Sequence, residues 1–192
     1  MKILLVCSGN TGASVVINEF AYSIIRKGIE VDYFYVKGRG FYGYLNNLPY
    51  LKKKIKKGNY AIVHAMFGLC GMLSVLQRIC PVITTFMGCD VNRKDLRAIS
   101  RLAMILSSYN IFVDKRLSTK LNAKKSYSVI PFGVDFENIF FHLDKKMSRE
   151  KLGLDPESKI ALFASTFDRI EKNYVLAREA VEIIGDVELI EL

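Results

Sequence analysis

The feature that most constrains this chain is a regular alternation of short apolar runs with helical-period stripes along nearly all of its 192 residues. Residues 3–7 are a continuous apolar run. Residues 15–25 then place Val16, Phe20 and Ile24 at helical spacing, and Arg26, Lys27 and Gly28 close the segment. β-Branched and aromatic residues at 31–36 predict a strand, followed by a Gly- and Tyr-rich loop at 37–44. Leu45, Leu48, Leu51 and Ile55 give the next, basic segment the apolar stripe of a helix. A strand at 60–65, a helix at 69–79 and a strand at 82–86 follow. Leu96, Ile99, Leu102, Ala103 and Leu106 mark another helix, and short strands at 111–113 and 128–130 flank a helix at 115–122. Strands alternating with helices imply a mostly parallel, Rossmann-like sheet with helices on both faces.

After Ile130-Pro131-Phe132-Gly133-Val134-Asp135 the character changes. A polar, Phe-containing stretch leads to a helix starting near Ser148, a strand at 160–164, a helix at 171–184 and a strand at 187–192. A lone βαβ unit of this size cannot cover both faces of its own sheet. The expectation is therefore one α/β domain at 1–143 and, at 144–192, the first βαβ unit of an incomplete second one.

Bulk properties narrow the function classes. No apolar run approaches the ~18 residues that a bilayer-spanning helix needs. Lys2 with a short apolar run into Ser8-Gly9-Asn10 reads as a strand entering a loop, not as a secretion signal. A cytoplasmic protein is expected. Cys7, Cys70, Cys80 and Cys89 lack metal-ligand spacing and sit in or beside apolar stretches, so they read as reduced core residues and no metal is expected. The net charge of +9 is concentrated in Lys52, Lys53, Lys54, Lys56 and Lys57. Such a surface attracts the phosphates of a nucleotide, a nucleic acid or an anionic lipid. These lysines fit either the solvated face of a helix or a peripheral contact with an anionic inner membrane leaflet.

Ligands of parallel α/β sheets bind at the carboxyl ends of the strands. Gly9 and Gly12, His64 and Gly68, Gly88 and Asp90, and Gly133 and Asp135 all follow predicted strands and so share one rim. The loop at 7–14 is no P-loop, since no Gly-Lys-Ser/Thr closes it, and GxGxxG is absent. Its small residues admit a ligand's close approach to the backbone, with the next helix offering amides to an anion; a ligand-free tight turn fits as well. Val6-Cys7-Ser8-Gly9-Asn10-Thr11 also resembles the opening of low-molecular-weight tyrosine phosphatases. Ala13, however, stands where their arginine would fork onto phosphate, which leaves Cys7 a strand-end core residue. His64 ends a predicted strand and is either a proton acceptor on the rim or a histidine satisfied in the core. His64 and Asp90 are the candidate catalytic groups. Downstream, Ser165 to Tyr174 join a strand to a helix, and Arg169 and Lys172 stand three apart at its head. Two cations there oppose the helix dipole unless they hold an anion such as a diphosphate; otherwise they are solvated charges at a surface turn.

Taken together, these loops resemble the group 1 (family 4) glycosyltransferases of the GT-B fold. His64-Ala65-Met66-Phe67-Gly68 resembles that family's HAHFG, Thr85-Phe86-Met87-Gly88-Cys89-Asp90 its TFHGSD, and Ile130 to Asp135 its IPNGVD. Arg149 to Leu154 resembles a REKLGL helix, and Phe163 to Tyr174 the first phosphate-binding turn of the second domain. The resemblance implies a retaining, metal-free transfer of a sugar from a nucleotide sugar to a cell-envelope or polysaccharide acceptor, glycan or lipid-linked. It implies no covalently bound cofactor. Arg169, Lys172 and Gly12 would contact the donor phosphates, with Gly9, Gly88, Gly133 and Ser165 lining the cleft. Three departures stand out: the arginine is displaced from 166 to Arg169, Met87 replaces a histidine, and the family's Glu-rich motif is not found up to Leu192. The chain alone is thus expected to transfer no sugar. The alternative from another class is a non-catalytic basic α/β module for nucleic acid or another polyanion. It lacks the interleaved aromatics and recognition motif of such proteins, so nucleic acid is not expected.

Overall fold

The computed structural model describes residues 1–10, 14–124, 126–135 and 142–191 of the chain. It separates into two compact units, Met1–Gly133 and Val134–Leu192, so that the 143/144 boundary read from sequence falls inside the second unit.

In the first unit the strands are β1 (Lys2–Ser8), β2 (Glu30–Val36), β3 (Ile62–Met66), β4 (Val82–Phe86), β5 (Tyr109–Phe112) and β6 (Tyr127–Val129). They form one sheet in the order β2-β1-β3-β4-β5-β6, and every neighbouring pair is parallel. The connecting helices are α1 (Val15–Ile25), α2 (Gly40–Leu45), α3 (Leu48–Gly58), α4 (Gly68–Val75), α5 (Cys89–Asn92), α6 (Lys94–Leu106) and α7 (Lys115–Leu121). Two faces explain why β1 is apolar without alternation. Leu4 and Val6 pack with Val63 and Ala65 against Leu51, Ile55 and Leu73 of α3 and α4. Leu5 and Cys7 pack with Met66 against Ile17 and Ala21 of α1 on the other side. A third cluster sets Phe86 and Phe112, stacked at 5.0 Å, against Met104, Leu117 and Leu121.

The second unit holds α8 (Lys145–Lys151), β7 (Ile160–Phe163), a 3-10 turn (Ile170–Lys172), α9 (Tyr174–Ile184) and β8 (Glu188–Glu191), with β7 and β8 parallel. Phe163, Phe167 and Tyr174 form an aromatic trio, the last two stacked at 3.9 Å.

Several boundaries differ from the sequence expectation, each for a local reason. The helix expected at 171–184 is interrupted by Asn173, which is left-handed (φ 54°) and divides the 3-10 turn from α9. The helix expected to reach 79 stops at Val75. There Gln77 turns its side chain onto the backbone N–H groups of Ile79 and Cys80, and Arg78 is left-handed. The Gly- and Tyr-rich loop contains a short helix, α2. It is held by Asn47, whose amide reaches the carbonyls of Lys37, Gly43 and Tyr44.

Candidate functional site

The strand order reverses between β1 and β3, which is where parallel sheets of this kind open a crevice. The loops bordering it are tightly built. Gly9 donates its N–H to the Val36 carbonyl at 2.8 Å, and a Cβ there would come within 2.9 Å of that of Tyr35. Asn10 clasps the next loop through both ends of its amide: Nδ2 donates to the Gly38 carbonyl at 2.6 Å, and Oδ1 accepts the Gly38 N–H at 3.0 Å. Gly12, assigned to the donor phosphates, lies outside the described residues.

Beyond β3 the chain makes a strained elbow. Phe67 has φ 92° and ψ 145°, a region that costs a side-chain-bearing residue about 1–3 kcal/mol. Its N–H is held by the Thr85 carbonyl at 2.9 Å, and the N–H of Gly68 by Asp90 Oδ2 at 2.9 Å. Asp90 is fully buried, and its Oδ1 also accepts the N–H groups of Gly88 at 2.8 Å and Met87 at 3.2 Å. Burial pushes its carboxyl up from the ordinary range, opposed by the backbone N–H groups of Gly88, Gly68 and Met87. Asp90 thus puts a built-in anion at the head of α4 and ties the β3 and β4 loops together. Its oxygens are spent on the fold and not offered to a ligand at the rim.

His64 is likewise interior. It is the third residue of β3, two short of the strand end, and only 5% exposed. Its Nε2 lies 2.8 Å from Thr85 Oγ1, and its ring meets Phe20 of α1 edge-on at 5.1 Å. Desolvation lowers its pKa to about 4, so the ring is neutral near pH 7. Of the two sequence readings, the structure matches the satisfied core histidine. Cys7 is buried and its thiol is pushed up to about 11, the state of an inert core residue and not of a phosphatase nucleophile. Met87 and Phe132 both pack onto the cluster around Cys7, which makes that sector of the rim apolar. Gly88 takes φ 127°, and Gly133, at the end of the first unit, has open space around it.

In the second unit Ser165, Arg169 and Lys172 share the loop between β7 and α9. The Ser165 N–H donates to the Phe163 carbonyl at 2.8 Å, and that of Lys172 to the Arg169 carbonyl at 2.9 Å, which curls the two cationic residues into one turn. Both side chains are exposed, and the Asn173 side chain makes no capping bond to α9. Among the described residues no group of three or more His, Cys, Asp or Glu could hold a metal ion, and no helix is long and apolar enough to cross a membrane.

Three contributors escaped sequence reasoning. Asn10 and Asn47 act through contacts 28 and 10 residues away, and Ser100 packs against Gly68 so closely that a Cβ there would lie 2.1 Å from its Oγ. No local pattern marks any of them.

No family model matches this chain, and no curated protein matches it either. Solved structures do. Sucrose-phosphate synthase from Thermosynechococcus elongatus superposes with a TM-score of 0.80 and 14% identity over 99% of this chain and 61% of its own. A candidate UDP-N-acetylglucosamine 2-epimerase from Listeria monocytogenes gives 0.62 and 12% over 100% and 62%. A glycosyltransferase from Rickettsia africae gives 0.53 and 14% over 99% and 68%. At these identities the likeness establishes the fold, the Rossmann-like α/β architecture of the GT-B type. The chain spans about three fifths of the synthase's length.

Proposed function

We propose that the chain belongs to a retaining glycosyltransferase that moves a sugar from a nucleotide-sugar donor to a cell-envelope or polysaccharide acceptor. In this reading the first unit serves the acceptor and the second the donor. The observation that carries it is the loop between β7 and α9, where Arg169 and Lys172 stand on one turn ahead of a helix N-terminus. A leaving diphosphate gathers negative charge as the glycosidic bond breaks, and fixed cations beside helix amides offset that charge without any metal. The GT-B fold, shared with a protein described as a glycosyltransferase, supports the assignment.

The rim of the first unit then positions and does not titrate. Neutral His64 is bonded to Thr85, and Asp90 is saturated by backbone N–H groups, so neither is poised to move a proton. Their work is to hold the β3 and β4 loops at the spacing the acceptor needs. Calorimetric titration with uridine, guanosine and adenosine diphosphates tests the donor side. At least one should bind, and Arg169→Ala with Lys172→Ala should weaken it by roughly tenfold or more, the scale of losing charge-assisted contacts. Unchanged affinity in the double variant would overturn the assignment of this turn.

A further inference from the structure

β2 ends the sheet on one side with a seven-residue strand, while the opposite edge, β6, is only three residues long. In a parallel sheet the N–H and C=O of one residue point to the same neighbour, and successive residues alternate between neighbours. Glu30 donates its N–H to the Met1 carbonyl and the Val36 carbonyl accepts the N–H of Gly9, so the even-numbered residues of β2 face β1. The odd-numbered ones face outward. At Lys37 both outward groups are taken, the N–H by Asn47 Oδ1 at 3.2 Å and the carbonyl by Asn47 Nδ2 at 2.8 Å. Below that clasp, Val31, Tyr33 and Tyr35 present three N–H and three C=O groups that have no partner among the described residues.

A long unpaired edge invites pairing with another strand, and proteins usually blunt one with proline, lysine or a bulge. β2 has none of these. It is rich in β-branched and aromatic residues, and its register with β1 runs unbroken from Glu30 to Val36. Its internal charge, Asp32, is already engaged by Lys2 at 3.0 Å and by the Tyr60 hydroxyl at 2.6 Å. The helix over this edge is open on the same side. In α1, Phe20 leans toward β3, where it meets His64, and buried Ala21 faces the sheet. Residues advance by about 100° around a helix, so Tyr22 and Ile25 stand on the other flank, toward β2. They are 55% and 47% exposed, and Tyr35, on the α1 face of β2, is 40% exposed.

We infer that the β2 edge and the adjoining flank of α1 form the interface with a second copy of this chain, joined antiparallel about a two-fold axis through Tyr33. That register sets Tyr33 opposite Tyr33, and Val31 opposite Tyr35 of the second copy. The three outward N–H groups of each copy then meet the three outward carbonyls of the other, and each valine faces an aromatic ring, a favourable cross-strand pair. The charges agree with this direction. Exposed Glu30 opens the strand, and exposed Lys37 and Arg39 follow its end. Antiparallel strands bring acid beside base, whereas parallel ones would align like with like. A two-fold interface also closes on itself and leaves neither β2 edge open. The same short segment supplies both halves of the match, which singles out a second copy over an unrelated strand. The dimer does not depend on the glycosyltransferase reading.

The test is sedimentation equilibrium of the whole chain at near-physiological salt, where the +9 charge of each copy is screened beyond about 8 Å. The mass should rise with concentration from 21.8 kDa to twice that value and no further. Tyr22→Glu with Ile25→Glu should weaken dimerisation about tenfold or more, by placing like charges in the contact. Leu102→Glu with Ile105→Glu changes the charge equally at positions of α6 that are 45% and 65% exposed, and should alter dimerisation by less than about twofold. Circular dichroism of each variant checks that its exposed substitutions leave the fold intact. Amide hydrogen exchange of the unaltered chain locates the contact. At high concentration the N–H groups of Val31, Tyr33 and Tyr35 should exchange about tenfold or more slowly, while those of Asp32 and Phe34, which face β1, change little. A monomer at concentrations up to about 0.1 mM, equal losses in the two variant pairs, or a dimer that leaves the three outward amides unprotected would each overturn the inference.

Discussion

His64 shows how a buried titratable group leaves its mark without touching a ligand. In the unfolded chain its pKa is near 6.5, and in the fold burial lowers it to about 4. Between those values the unfolded state binds the proton and the native state does not, so stability must fall as pH drops from 6.5 toward 4. The full shift corresponds to about 3 kcal/mol. Asp90 works in the opposite sense, because burial raises its carboxyl and favours the folded state as it protonates, so the net loss is smaller. The lowered carboxyls of Asp32 and Asp114 weaken the fold only below their ordinary values, under pH 4. Urea unfolding at pH 7 and pH 4.5 should therefore show a decline that His64→Gln largely removes. A decline of the same size in that variant would place its source elsewhere.

At the scale of elements, the elbow between β3 and α4 brings the head of α4 directly against α6 at Gly68 and Ser100. Adding one methyl at Gly68 drives it into Ser100, 2.1 Å from the hydroxyl and 2.9 Å from Cβ. Gly68→Ala should cost about 2 kcal/mol in denaturant midpoint analysis, the usual scale for overpacking. Ser100→Gly in the same chain should recover part of it, whereas strictly additive losses would show that the helices are not in contact there. This joint also marks the limit of what sequence reveals. Continuous runs such as Leu4 to Cys7 announced buried strands because both faces of the sheet are covered, and the rim glycines followed from strand ends. The sequence left His64 open between the rim and the core; the strand runs on through Ala65 and Met66, which sets the imidazole two residues inside the strand end and against Phe20 of α1. Asn173 gave no warning either, since asparagine suits a helix start and a left-handed break equally well.

For the molecule as a whole, the two units differ sharply in what holds them. The first buries Leu4, Val6, Val63, Phe86 and Phe112 completely or nearly so, whereas no described residue of the second is buried. α9 carries Leu176 and Ile184 exposed, and Ile183 is 86% exposed. The unit's two-stranded sheet and crossing helix are joined by the Phe163, Phe167 and Tyr174 stack, worth about 0.5–1.5 kcal/mol per aromatic pair beyond area. Three strands with a covered face are the usual minimum for independent stability. Opening of the second unit should thus require much less free energy than global unfolding of the first. Native-state hydrogen exchange of the chain measures both: amides of β7 and β8 should exchange by a low-energy opening, roughly tenfold or more faster than those of β1 and β3. A nucleoside diphosphate bound at Arg169 and Lys172 would slow exchange in β7 and α9 by mass action, leaving β1 and β3 unchanged. If β7 and β8 exchange as slowly as β1 without ligand, the second unit draws stability from something other than its own packing.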